Sequence, residues 1–369
     1  MLKQYHWKNY SIKLLLTVMI LCSLGTMFIY AAKPEFIKKQ LLGVILCFIV
    51  ILTVSFIDYG MILKFIWPLY GINIVILAAV KLFGKDVNGS TRWFDLGPFG
   101  TIQPSEFSKI ILILFVAYFV ECHKDDLNEW KTLGKLALFC AIPIGLILIE
   151  TDLSTSIDIC LIIGAIIFIG GLSWKRILTL LGVVIPLGTG FVLHAMSPNP
   201  ILIPNYMVNR IRSFMDPTQN QSSGAYQQLN SIMAIGSGQL KGKGLFSDSL
   251  ATVKDAKLVS EQQTDFIISI VGEMTGFIGC MIVIALLALI VLQCIGIAKK
   301  AKDTSGMLIA TGVASLFCFQ SFMNIGVATQ ILPNTGLPLP FVSYGLSSLM
   351  GSAIGIGLVI NVGLQGRRY

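Results

Sequence analysis

Residues Val259–Gly279 read VSEQQTDFIISIVGEMTGFIG, a polar approach that passes without a break into strong hydrophobicity. The apolar run continues to Ile297, long enough to cross the roughly 30 Å of a bilayer's hydrocarbon as a helix. Into it the chain carries Glu261, Asp265 and Glu273. Carboxylates at or inside a bilayer edge are costly, so they mark a site more often than a filler position. This stretch therefore sets two expectations: a membrane scaffold, and an acidic site at one surface of it.

The composition agrees with the scaffold. Hydrophobic residues make up 55% of the chain and charged residues 12%, with a mean hydropathy of +0.80, which excludes an ordinary soluble domain. The apolar runs are continuous, whereas a membrane β-barrel needs short alternating segments. Helices are expected, because backbone in lipid must satisfy its own hydrogen bonds. The first run, Ile12–Ala32, follows Lys3, Lys8 and Lys13 like the start of a signal peptide. It is longer than a cleavable segment and no A-x-A site follows, so it reads as a retained span. The eight cysteines are scattered singly with no C-x-x-C pair, which supports neither a disulfide framework nor a zinc site. The net charge of +8 is distributed among loops, and membrane orientation explains it better than nucleic acid does.

The predicted fold is an all-α integral membrane protein of about ten spans. They run roughly Ile12–Ala32, Leu41–Ile57, Ile62–Leu82, Phe107–Val120 and Leu133–Ile149, then Thr155–Leu172, Ile177–Ala195, Phe266–Ile297, Met307–Leu332 and Ser347–Leu364. The fourth is short and extends back through Pro104 if proline occupies the first turn. Residues 1–369 form one polytopic membrane domain, with 196–265 a large extracytoplasmic loop between spans seven and eight. Short segments on the side of the termini carry fourteen lysines and arginines against six on the other, which predicts cytoplasmic termini. The elaborate polar, Gly/Pro-rich segments 85–109, 150–156, 197–265 and 333–348 then share the outer face. Function concentrates in such loops, so the working surface is expected there.

Four further segments complete the candidate site. In Asn88–Lys109, Asn88-Gly89 and Gly97-Pro98 signal turns, and Ser105 suits an N-cap ahead of Glu106. Glu106 and Lys109 share a helix face at i,i+3, which fits either a plain ion pair or a buried pair lining a cavity near Arg92. In Glu150–Ser156, ETDLSTS, Asp152 serves equally as a helix cap or a site residue, and Asp158 reads as a packed polar group facing the bundle. The long loop holds Arg210 and Arg212, Asp216-Pro217, and the glycine-rich AIGSGQLKGKG, Ala234–Gly244. That run is no P-loop, though its backbone N–H groups suit a phosphate weakly. Asp265 alone could be a cap; Glu273, about two turns further on and near the same face, has no such excuse, and together they favour a polar pocket. Leu332–Ser348, LPNTGLPLPFVSYGLSS, is apolar but broken by prolines and glycines, as a re-entrant segment beside a cavity would be, with Ser343 within reach of the site.

The chain resembles the SEDS family, the bacterial peptidoglycan polymerases of RodA, FtsW and SpoVE type. The resemblance lies in RWFDLGPFGTIQPSEFSK (Arg92–Lys109), NRIRSFMDP (Asn209–Pro217), YQQLNSIMAIGSGQLKGKG (Tyr226–Gly244), TDFIISIVGEMTGFIG (Thr264–Gly279) and TGLPLPFVSYG (Thr335–Gly345), in that order. TGLPLPFVSYG and the bare N-terminus lean toward RodA. Gln263, Met274, Glu150-Thr151 and Leu346 depart from the usual pattern. The resemblance implies glycosyl transfer on lipid II outside the cytoplasmic membrane, in elongation, division or sporulation, with a class B penicillin-binding protein as partner and membrane lipids around the chain. It puts Asp265 on the family's essential aspartate, Glu106 and Lys109 on its paired charges, and Arg92, Asp152 and Arg210 on other functional positions.

Such a reaction needs a base near the attacking sugar hydroxyl, the role of Asp265. It also needs positive charge at the leaving pyrophosphate, from Arg92, Arg210, Lys109 or a divalent ion such as magnesium or manganese. Glu273 is then a supporting group deeper in the pocket. A precursor flippase and a non-catalytic scaffold for a penicillin-binding protein are the alternatives; the first needs a polar path to both faces, the second no role for Asp265.

Overall fold

The computed structural model describes residues 9–87, 90–95, 97, 100–197, 200, 203–216, 223–244 and 262–366. Glu261, the Asn88-Gly89 pair, Pro98, Pro217, Lys3, Lys8, Arg367 and Arg368 lie outside the described residues.

The chain begins with α1 (Ile12–Ala32), a 3-10 turn (Pro34–Phe36), α2 (Ile37–Ser55), α3 (Tyr59–Lys64) and α4 (Ile66–Phe83). Three short strands follow, β1 (Lys85–Val87), β2 (Ser90–Asp95) and β3 (Thr101–Ile102). Then come α5 (Pro104–Cys122), α6 (Trp130–Ile149), α7 (Leu153–Ile169), α8 (Trp174–Met196), α9 (Asn205–Met215) and α10 (Ser223–Ser237). The last three are α11 (Ile267–Ala298), α12 (Thr304–Ala328) and α13 (Leu346–Leu364). Among the described residues, eight helices are long and apolar enough to span a bilayer, counting the 3-10 turn with α2. α7, with 17 residues, and α5, with Glu106 and Lys109 in its first turns, match the other two predicted spans. The molecule is an all-α multi-pass membrane protein, as its hydropathy predicts.

Several boundaries move for local reasons. α5 starts at Pro104, and Gln103, not Ser105, holds the N-cap position; proline at the first helical position loses no hydrogen bond, because that N–H has no partner in any helix. The third span loses its predicted start to α3, a separate helix that Asp58 caps by accepting from Gly60 N at 2.8 Å. Among the described residues, the loop over 196–265 contains two helices, of which α10 packs on α11. Sequence periodicity did not reveal them. α11 is interrupted at Gly276, whose φ of 65° and ψ of −162° only glycine adopts without strain.

The core lies among α5, α12 and α13, where Phe115, Phe317, Ile113, Val313 and Ile356 are almost wholly buried. α1 joins this core against the predicted re-entrant segment: a Cβ on Gly25 would come within 2.7 Å of Val342 Cα, so only glycine lets the backbones meet. The segment between α12 and α13 has no regular helix, and Leu337, Leu339, Phe341 and Val342 are buried in it, which is where irregular backbone is tolerated at membrane depth. At the other extreme, only Ala195 of α8 is buried. The strands make a small antiparallel sheet, with Trp93 opposite Lys85 and Phe94 opposite Ile102, immediately before α5. That sheet presents Arg92.

Candidate active site

Arg92 reaches from β2 to the turn between α6 and α7. Its Nε donates to the Glu150 carbonyl at 3.2 Å and an Nη to the Thr151 carbonyl at 2.8 Å. The other Nη lies 3.6 Å from Asp152 Oδ2. Asp152 caps α7 by accepting from Thr155 N at 3.1 Å, and also accepts from Thr155 Oγ1 at 2.9 Å and Gln103 Nε2 at 3.1 Å. Asp152 is thus a helix cap that also faces the Arg92 guanidinium. Beside it, Glu150 is buried and neither carboxyl oxygen has a hydrogen-bond partner. Burial first, and then the neighbouring Asp152, push its pKa up to about 8 against the pull of Arg92 and Lys81, so it is neutral at pH 7.

Arg210 stands on α9 with its guanidinium 5.8 Å from the Tyr206 ring centre, a cation–π distance. Burial and then the charge of Arg92 lower its pKa, while Asp152, Tyr206 and Asp265 act in the opposite sense. Two guanidiniums and two aspartates thus share one electrostatic neighbourhood. Arg212, two residues on, donates instead to the Ser197 carbonyl at 2.5 Å and braces the loop.

Asp265 sits in the turn leading into α11. The helix begins at Ile267 with Phe266, rather than Asp265, at the N-cap position. Its carboxylate lies over Gly336: a Cβ there would be 3.3 Å from Asp265 Oδ2. Three bonds hold the turn against the broken segment and α12. Ser343 Oγ donates to the Thr264 carbonyl at 2.5 Å, Tyr344 N to the Gln263 carbonyl at 2.8 Å, and Asn324 Nδ2 to the Asp265 carbonyl at 2.8 Å. Ser343 also accepts from Leu339 N at 2.8 Å, so this hydroxyl, expected near the substrate cavity, is engaged in fastening the backbone.

The remaining candidates are drawn elsewhere. Lys109 Nζ lies 2.9 Å from Glu106 Oε1 and 2.8 Å from Gln320 Oε1, and Asp158 Oδ2 is 3.9 Å away. All four side chains are buried together. Glu273 pairs with Lys243 Nζ at 2.9 Å. The glycine-rich run does not offer its end to a phosphate: Lys243 N donates to the Glu273 carbonyl at 2.9 Å and Gly244 N to the Met274 carbonyl at 3.0 Å. In return Phe277 N donates to the Gln239 carbonyl at 2.8 Å. The break at Gly276 frees backbone groups of α11, and buried groups must be paired, so the loop pairs them. Among the described residues no three His, Cys, Asp or Glu side chains come together as metal ligands.

Against known proteins, the model of the FtsW/RodA/SpoVE family, described as a cell cycle protein family, matches residues 7–368. The chain belongs to this family. It is 31% identical to the probable peptidoglycan glycosyltransferase FtsW of Trichlorobacter lovleyi, over 98% of this chain and 94% of that one. It is 35% identical to the peptidoglycan glycosyltransferase MrdB of Escherichia coli K12, over 80% and 76%. A solved chain described under the structural coordination of polymerization and crosslinking by a peptidoglycan synthase complex superposes with a TM-score of 0.81, at 26% identity, covering 97% of this chain and 98% of that one. Relatives named FtsW and MrdB match at comparable identity.

For this member of the FtsW/RodA/SpoVE family, the contacts single out residues that motif reading passed over. Gln103 ties Asp152 to the start of α5, and Gln320 and Asn324 tie α12 to the broken segment. Gln320 and Asn324 had a legible signal, two buried amides four apart on one face of an apolar helix.

Proposed function

We propose that this chain is a peptidoglycan glycosyltransferase that polymerises lipid II at the outer face of the bacterial cytoplasmic membrane, with both termini cytoplasmic. It works as one polytopic unit whose 196–265 loop contributes Arg210. The observation that carries the site assignment is the Asp265 carboxylate, fixed against Gly336 by a backbone with three separate anchors, in the same field as Arg92, Arg210 and Asp152.

In this reading the Asp265 carboxylate takes the proton of the attacking sugar hydroxyl as that oxygen bonds to the anomeric carbon. The bond from that carbon to the lipid pyrophosphate breaks, and the electron pair leaves with the phosphate. Arg92 and Arg210 meet the growing negative charge, which is where preorganised cations lower a barrier most. Lys109 is spent on Glu106 and Gln320 and supports the scaffold. A class B penicillin-binding protein supplies crosslinking beside it, and the cell-cycle family match suits a role in elongation, division or sporulation.

The test is polymerisation of lipid II by purified protein. Asp265→Asn is expected to stay folded and lose at least about 10²-fold in rate, the scale of general base catalysis. A folded variant working at the normal rate would remove Asp265 from the role of base. Transport across the bundle is the poorer reading, because the buried charged groups Lys109, Glu106 and Asp158 are closed in upon one another.

A further inference from the structure

α12 holds two amides one turn apart, Gln320 and Asn324, and each binds one of two successive carbonyls of the broken segment. Gln320 Nε2 donates to the Pro338 carbonyl at 2.8 Å, and Asn324 Nδ2 to the Leu337 carbonyl at 2.7 Å. The other ends of these two bridges are what give the arrangement its interest. Gln320 Oε1 accepts from Lys109 Nζ at 2.8 Å. Asn324 Nδ2 donates a second time, to the backbone carbonyl of Asp265 at 2.8 Å. Both partners of the Asn324 amide are carbonyl oxygens, which accept only, so its nitrogen and not its oxygen must face them. Its own oxygen is buried with no partner, and such a group is tolerated where the structure demands the orientation.

From this geometry we propose that Asn324 is a positioning residue for the glycosyl-transfer reaction. One NH2 group, shared between the Asp265 and Leu337 carbonyls, sets how far the Asp265 carboxylate stands from Gly336, the next residue back along the broken segment. Gln320 extends the same contact to Lys109, so the buried Glu106–Lys109 pair and the Asp265 turn are referred to one rigid helix. Loops whose reacting group must be placed to a fraction of an ångström need such a reference, since an error of about 1 Å costs on the order of 10²-fold in rate. The proposal rests on Asp265 acting as the base, and it adds what holds that base in place.

The test compares Asn324→Leu and Asn324→Asp with the wild type in lipid II polymerisation, with Asp265→Asn run alongside. Leucine keeps the branched shape and offers no donor; kcat is expected to fall about 10- to 100-fold at every pH, with KM within about twofold. A carboxylic acid donates one bond when protonated and none when ionised. Asn324→Asp is therefore expected to retain activity at low pH and lose it as pH rises, relative to the wild-type profile. Amide exchange in residues 262–266 and 334–343 is expected to quicken in both variants, a readout independent of turnover. Wild-type kcat across the whole pH range in either folded variant, or the same loss at every pH in both, overturns the proposal. If Asp265→Asn itself keeps full activity, the assignment of the base fails instead, and the exchange result then judges the Asn324 contact alone.

Discussion

Lys109 and Glu106, one turn apart on α5, form an ion pair at 2.9 Å in which both side chains are almost completely withdrawn from solvent. Asp158 stands 3.9 Å from the same ammonium with neither carboxyl oxygen hydrogen-bonded. Removing the one cation leaves two buried acids with nothing to balance them, a loss on the order of 3–5 kcal/mol. Lys109→Met is expected to lower the unfolding temperature in detergent sharply, and Glu106→Gln added to it to recover part of the loss. Equal unfolding temperatures for the single and double variants would show that the two charges do not act as a pair.

Lys243 and Glu273 form a second, part-buried ion pair beside the break in α11. Gly276 has a conformation that other residues reach only at about 1–3 kcal/mol. A Cβ there would also meet Gly242 N at 2.5 Å and Leu240 O at 2.6 Å. Gly276→Ala should therefore release the 239–244 run from α11, and limited proteolysis should cut that run faster than in the wild type. An unchanged digestion rate would mean that the loop is held by other contacts.

Arg92 carries two backbone carbonyls on one planar guanidinium, which an ammonium cannot reproduce. Hydrogen bonds to charged groups are worth about 1.5–3 kcal/mol, so Arg92→Lys is expected to lower kcat/KM for lipid II roughly 10- to 150-fold. The fold should survive, because the sheet that bears Arg92 is paired through its own backbone. Steady-state kinetics across a range of lipid II concentrations checks this, and a wild-type kcat/KM would refute it.

Glu150 supplies a pH dependence. Its pKa rises from 4.5 to about 8 on folding, so between those values the native state holds a proton that the unfolded state has released. Stability contributed by this group is complete below about pH 4.5 and declines as pH rises toward about 8. Glu150→Gln keeps the shape without the titration. Its unfolding temperature should match the wild type near pH 5 and exceed it near pH 8. A gap that stays constant with pH would show that Glu150 ionises freely in the native state.

How much of this was legible from the chain alone differs between scaffold and site. The sequence by itself determined the all-α multi-pass membrane fold, because an apolar run either is or is not long enough to cross the hydrocarbon, and that is a property of one dimension. It also determined that the broken Leu332–Ser348 stretch must be buried, since prolines and glycines leave backbone groups that lipid cannot satisfy. The choice of partners was settled by tertiary structure. Glu273 belongs to Lys243, 30 residues away, and Lys109 to Gln320, 211 residues away. Asn324 reaches both Asp265 and Leu337 only because α12 presents one particular face to the broken segment. Hydropathy does not encode the rotation of one apolar helix against another, since apolar faces are exposed to lipid and to protein alike. Packing sets that rotation, and the rotation decides which buried polar groups meet.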